Sequence, residues 1–178
     1  GQLWGRSFQA KIKTESSKQG KQAVISGNGK LDRRTLEDWL KLANTGVLAG
    51  ESSPFQAEMR LPLSSGSGQT PSLMLESELE GVAIQLPEPF GKRADALLST
   101  RMHIDFADQW LANIELGQTV RAKLEIREGV LQRGALTLNK QAVSLPASGE
   151  FWLQGALEKI QPRPGFQGFE QCGVDSSC

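Results

Sequence analysis

The chain has no tyrosine, a single histidine and two cysteines among 178 residues, and its 20 basic and 20 acidic side chains cancel. Each shortage excludes something. One histidine, His103, cannot build a histidine cluster for metal or nucleophilic chemistry, and the cysteines lie far from it, at Cys172 and Cys178. The six-residue step between the cysteines allows a small disulfide loop in an oxidising compartment. Equally, the Gly-, Pro- and Ser-rich stretch 162–178 reads as a disordered tail or a truncation scar.

Balanced charge gives no support to a phosphate-binding surface, so no nucleic-acid partner is expected. The loose basic group Lys11, Lys13, Lys18 and Lys21 reads as a solvated strand face and turn. No apolar run approaches the roughly 20 residues that span a bilayer, and no leader pattern is present. The chain begins at Gly1 rather than Met and is expected to be a piece of something longer. The missing leader therefore says nothing about where the parent protein resides.

Catalytic patterns are missing too. There is no Gly-x-Ser-x-Gly, paired-carboxylate spacing, phosphate-cradling glycine loop or His/Cys/Asp ligand cluster. His103 alternates with Met102 and Ile104, which directs it to a polar face. Gly27-Asn28-Gly29 is too short for a nucleotide loop and reads as a turn. The expectation is a protein that is not an enzyme, with no cofactor and no metal.

What the chain does have is strict alternation. Ser7–Lys13, Pro54–Leu61, Val82–Leu86, Arg101–Phe106 and Val120–Ile126 are apolar at every second residue. Period two places the apolar side chains on one face of a pleated strand. Strands are expected at Phe8–Thr14, Ala23–Gly27, Phe55–Leu63, Ser72–Leu79, Gly81–Leu86, Ser99–Phe106, Leu111–Leu116, Val120–Arg127, Val130–Leu138 and Ala142–Leu145. Gly117-Gln118 and Glu128-Gly129 suit tight hairpin turns. Pro87-Glu88-Pro89 stops the strand before it, because proline cannot donate to a ladder. Gly91 is expected to take a positive φ there, and Lys92 to sit in solvent.

One helix is legible over about 32–45. Asp32 is a good N-cap, Leu36, Trp39, Leu40 and Ala43 form one apolar stripe, and Gly46 suits the left-handed stop. A second short helix is expected near Leu153–Ile160. Two short echoes, Phe8-Gln9-Ala10 with Phe55-Gln56-Ala57 and Gly27–Leu31 with Gly149–Ile160, hint at an internal strand-strand-helix repeat.

The fold class expected is mainly β with a minor α part. An antiparallel, curved meander sheet or a partly open sandwich would carry one amphipathic helix over residues 1–161. Leaving the inward Leu, Ile, Val, Phe and Met bare would forgo roughly 1.5–3 kcal/mol for each. One helix about 10–12 Å across shields only two or three strands. The rest of the face must be covered by another sheet, by neighbouring chain or by lipid.

Three stretches carry a family likeness: Val24–Asp32 running into Trp39-Leu40, then Pro54–Leu63, then Leu79–Lys92 with its Gly-Val-x-x-x-Leu-Pro-x-Pro-Phe-Gly-Lys element. In that order they resemble the YhdP family, large AsmA-like envelope proteins of Gram-negative bacteria, over about residues 1–160. The resemblance implies a periplasmic protein anchored in the inner membrane by its full-length parent, with a β-groove for phospholipid transfer to the outer membrane. Its partners would be phospholipid acyl chains and adjacent segments of the same parent chain, with membrane contact through the parent. The candidate groove residues are Phe8, Ala10, Ile12, Phe55, Ala57, Met59, Leu61, Val82, Ile84, Leu86, Met102, Ile104 and Phe106. A structural or interaction module with a closed β core is the alternative.

Overall fold

The computed structural model describes residues 2–3, 6–7, 9–17, 20–40, 45–64, 68–87, 90–138, 142–147 and 149–155. In chain order the elements are β1 (Gln2–Leu3), β2 (Arg6–Ser7), β3 (Gln9–Ser17), β4 (Gly20–Asp32), α1 (Arg33–Leu40), β5 (Leu48–Gly50) and β6 (Ser52–Pro62). They continue with β7 (Ser72–Ser77), β8 (Val82–Ile84), β9 (Thr100–Phe106), β10 (Trp110–Leu116), β11 (Val120–Arg127), β12 (Val130–Leu138) and β13 (Phe151–Gln154). Nine of them form one sheet in the order β13-β12-β11-β10-β9-β7-β6-β4-β3, while β1-β2 and β5-β8 make separate pairs. The protein is mainly β, as the alternation implies. Its large sheet is an open one.

The sheet is nearly a meander, because most neighbours in space are neighbours in sequence and pair antiparallel. Two departures matter. The β8 segment, Val82–Ile84, leaves the large sheet between β7 and β9 and pairs with β5 instead. At the other end β13 runs parallel to β12, which makes the sheet mixed. A parallel neighbour requires the chain to return along the sheet between the two strands. Arg133 marks its route by donating through Nη1 to the Pro146 carbonyl at 2.9 Å while Nε and Nη2 hold Glu125.

Several boundaries differ from the sequence reading. Gly27-Asn28-Gly29 is not a turn: β4 runs straight through it to Asp32, with Gly27 opposite Ala57 and Gly29 opposite Phe55. Local turn propensity loses to a long ladder with β6 on one side and β3 on the other. Ala142–Leu145 is not a strand. Leu153 is a strand residue of β13 rather than the start of a helix, and 156–160 lie outside the described residues.

The helix begins where the sequence places it. Asp32 Oδ1 accepts the Thr35 backbone N–H at 2.8 Å, the expected N-cap bond, and Arg33 pairs with Glu37 one turn on at 2.6 Å. Residues 41–44 of the expected helix lie outside the described ones. Leu36, Ala57 and Met102 pack against the buried cluster of Leu31, Phe55 and Leu75, which gives the sheet its closed hydrophobic core.

Two glycines next to the helix are fixed by close approach. At Gly50, φ is 104° and a Cβ would lie 2.1 Å from the Gly81 carbonyl oxygen. Gly91 does not take the positive φ expected of it. It is required because a Cβ there would meet the Leu86 carbonyl oxygen at 2.2 Å. The β11–β12 hairpin turns at Glu128 and Gly129, with φ of 53° and 75°. Both values are positive, as in a type I′ turn. Glutamate has no side-chain preference for that region, whereas asparagine does. Glu128→Asn should raise stability by about 0.5–1 kcal/mol, read as a higher urea midpoint at unchanged slope.

Candidate functional site: an apolar sheet face

Residues paired directly across neighbouring strands share a face of the sheet. Following the register across all nine strands gives the row Ile12, Ile25, Met59, Leu73, Ile104, Ala112, Leu124, Gly134 and Phe151. Two residues along each strand lies a second row: Ala10, Gly27, Ala57, Leu75, Met102, Ile114, Ala122, Leu136 and Leu153. Neither row contains a polar side chain. With eight gaps between nine strands at about 4.8 Å each, they extend roughly 38 Å. A third, flanking row carries Ala23 and Leu61 on one half and Phe106, Trp110, Ile126 and Leu131 on the other. Phe106 and Trp110 meet edge to face there, with ring centroids 5.0 Å apart.

The opposite face is polar in the same register. One of its rows reads Gln9, Asn28, Gln56, Glu76, Arg101, Glu115, Arg121, Thr137 and Gln154. Charges on it are paired between strands: Arg101 Nε to Glu76 at 2.7 Å, and Arg121 to Glu115 at 3.6 Å. The Glu76 carboxylate holds the Arg101 guanidinium charged to still higher pH than usual. Glu15 is held below the ordinary carboxylate range, chiefly by its hydrogen bond to Lys13. His103 sits on this face, 3.7 Å from Asp105 and away from any acidic pair converging in a cleft. Its neighbours across the ladder are Met74 and Asn113.

The apolar face is buried at the cluster against which Leu36 of α1 packs and at Ala112 and Leu138, and is half-open over the rest. Phe55 and Leu75 are buried beneath the helix, whereas Ile25, Met59, Leu73, Ile104, Ile114, Leu124 and Leu136 are only half-buried. Both rows end bare at the sheet edges, where Ile12 is 70% exposed on β3 and Leu153 is 71% exposed on β13. Among the described residues no second large sheet faces this one.

Of the candidate groove residues, Ala10, Ile12, Ala57, Met59, Leu61, Met102, Ile104 and Phe106 fall together on this face. Phe55 belongs to the core under α1. Val82, Ile84 and Leu86 are placed elsewhere: β8 pairs with β5, and Val82 is fully enclosed in that small unit. Phe8 lies outside the described residues. The sequence reading left out Ile25, Leu73, Leu75, Ile114, Ala122, Leu124 and Leu136. The alternation in Val120–Ile126 was a signal for two of them, but the register that joins all of them into rows is not local information.

The small β5–β8 unit stands beside the helix and carries the Pro-x-Pro-Phe-Gly-Lys element. Lys92 is buried there rather than solvated. Its Nζ donates to three backbone carbonyls, Val82 at 2.6 Å, Leu79 at 2.8 Å and Arg93 at 2.9 Å. Burial pulls its ammonium below the ordinary lysine value, opposed by the charges of Asp95 and Glu80. All three ammonium hydrogens are thereby used. Lys92 ties the two limbs of the loop that leads from β8 towards β9, and Ile84 and Lys92 bond each other's backbones at 2.8 and 2.9 Å.

The model of the YhdP protein family matches residues 1–163 of the 178. The chain belongs to the YhdP family. No curated protein and no solved structure matches it. The match covers the whole large sheet, the helix and the β5–β8 unit.

Proposed function

We propose that this chain is a non-enzymatic segment of a periplasmic conduit, whose apolar sheet face carries phospholipid acyl chains between the inner and outer membranes. The observation that carries the reading is the pair of transverse rows, apolar at every one of nine strands and bare at both ends. Alkyl chains make no directional bonds, so a track that offers only dispersion and exclusion of water suits movement along it. The rows run across the strands, and lipid would travel in that direction. Each sheet edge would meet the next segment of a longer parent chain anchored in the inner membrane. Polar headgroups would remain above the trough in water.

Family membership supports an envelope, lipid-related role, and the open face supports acyl chains as its occupant. Native mass spectrometry of the chain purified from cells without detergent tests the proposal. Co-purifying phospholipid that exchanges with added vesicles is the expected result. A lipid-free monomer that also takes up none from vesicles would favour the scaffold alternative.

A further inference from the structure

On the polar face near the β3 edge, uncharged hydrogen-bonding side chains cluster over a hollow. A hollow of about 600 Å³ spans β3 to β7 on that side, and among its lining residues are Gln9, Lys11, Ser26, Asn28, Gln56 and Met74. It adjoins a second hollow of about 610 Å³ that shares Asn28, Gln56 and Glu76 and reaches Pro54 and Leu97. Either one falls within the size range of small-molecule sites.

Gln9, Asn28 and Gln56 stand side by side in register, and among the described residues none of the three has a side-chain partner. Lys11 and Ser26 in the next row are unpartnered as well. The hollow's carboxylates, by contrast, are neutralised: Glu58 by Arg60 at 2.6 Å and Glu76 by Arg101 at 2.7 Å.

We infer that this hollow binds a neutral oligosaccharide. Charge complementarity excludes the other common classes. In the first hollow one ammonium beside two carboxylates does not favour a polyanion, and the paired carboxylates do not favour a cation; the second hollow, which adds Lys30, Glu78 and Glu80, is not part of the site. What remains is three carboxamides, each with two donors and an acceptor oxygen, and one hydroxyl. A sugar hydroxyl, which donates one bond and accepts two, matches that set. The amides recur at the strand spacing of about 4.8 Å, close to the length of one sugar unit in an extended glycan. Met74, 39% exposed in the first hollow, offers apolar surface to the C–H face of a pyranose ring.

The site lies on the opposite side of the sheet from the acyl-chain face, so it stands or falls independently of the conduit. Titration of the ¹⁵N-labelled chain with maltotriose and with the N-acetylglucosamine trimer tests it. At least one of them should give saturable shifts centred on the side-chain NH₂ groups of Gln9, Asn28 and Gln56, with a Kd at or below about 1 mM. Asn28→Ala/Gln56→Ala should weaken that binding at least tenfold, and Gln56→Ala alone by a smaller factor, while Gln118→Ala in the exposed β10–β11 turn leaves it unchanged. No saturable shift with either sugar, shifts confined to the apolar face, or stronger binding of an unrelated extended peptide in the same hollow would overturn the inference.

Discussion

Lys92→Met should lower stability by about 3 kcal/mol and release the loop that holds β8. Two effects compete. Removing the ammonium takes a charged donor from all three carbonyls; Leu79 and Arg93 keep the backbone N–H of Val82 and of Ala96, each at 3.2 Å, whereas the Val82 carbonyl loses its side-chain donor at about 1–3 kcal/mol if it stays out of water. Against that, methionine fills a similar volume and no longer buries a charge, whose desolvation is itself unfavourable. Three lost charge-assisted hydrogen bonds outweigh one relieved cation, so the net effect is destabilising. Equilibrium urea unfolding measures it, and faster amide exchange at Val82, Ile84 and Lys92 would place the damage in the β5–β8 unit. Lys123→Met is the control. That lysine is half-buried on the polar face, and its replacement should change stability by no more than about 0.5 kcal/mol.

The second large effect concerns the open face. Ile104→Asp and Ile114→Asp put a carboxylate into each of the two apolar rows, at half-buried positions away from the core under α1. In the free protein the carboxylate reaches water at modest cost. Under an acyl chain it would be desolvated without a partner, which costs several kcal/mol and lowers lipid occupancy more than tenfold. The expected outcome is a folded protein whose native mass spectrum has lost its bound phospholipid. Circular dichroism and the urea midpoint check that the fold remains. Phe55→Asp should behave differently, because that ring is buried beneath the helix and its loss would unfold the domain.

How much of this was readable beforehand depended on the range of the interaction concerned. Alternation alone locates β3, β6, β9 and β11 to within a few residues, and the Asp32 cap locates the helix start, because both signals are local. Glycines misled. Gly27 and Gly29 look like a turn in isolation, yet the ladder from β4 to β6 keeps them extended. Gly91 was assigned a left-handed backbone when the constraint is the approach of the Leu86 carbonyl oxygen. Lys92 was assigned to solvent because nothing nearby in sequence advertises three converging carbonyls. The segment Val82–Leu86 alternates as well as any true face strand, but its partner is β5. Only pairing decides which alternating strands share a face, and pairing is set by the whole chain.

The same distinction applies to the candidate site. Nine of the thirteen groove candidates fall on one face, Phe55 among them in the buried cluster. The property that supports a conduit is instead their register with Ile25, Leu73, Ile114 and Leu124 into unbroken rows. A row interrupted by one charge would be an ordinary half-buried sheet.

His103 and Ile104 are chain neighbours on opposite faces of β9, as are Asn113 and Ile114 on β10. A photoreactive benzophenone amino acid introduced at each of these four positions in turn, and activated in cells before purification, therefore separates the two faces most directly. The account requires phospholipid adducts at positions 104 and 114 and essentially none at 103 and 113. Equal labelling of both faces, or adducts at 103 and 113 with none at 104 and 114, would contradict it.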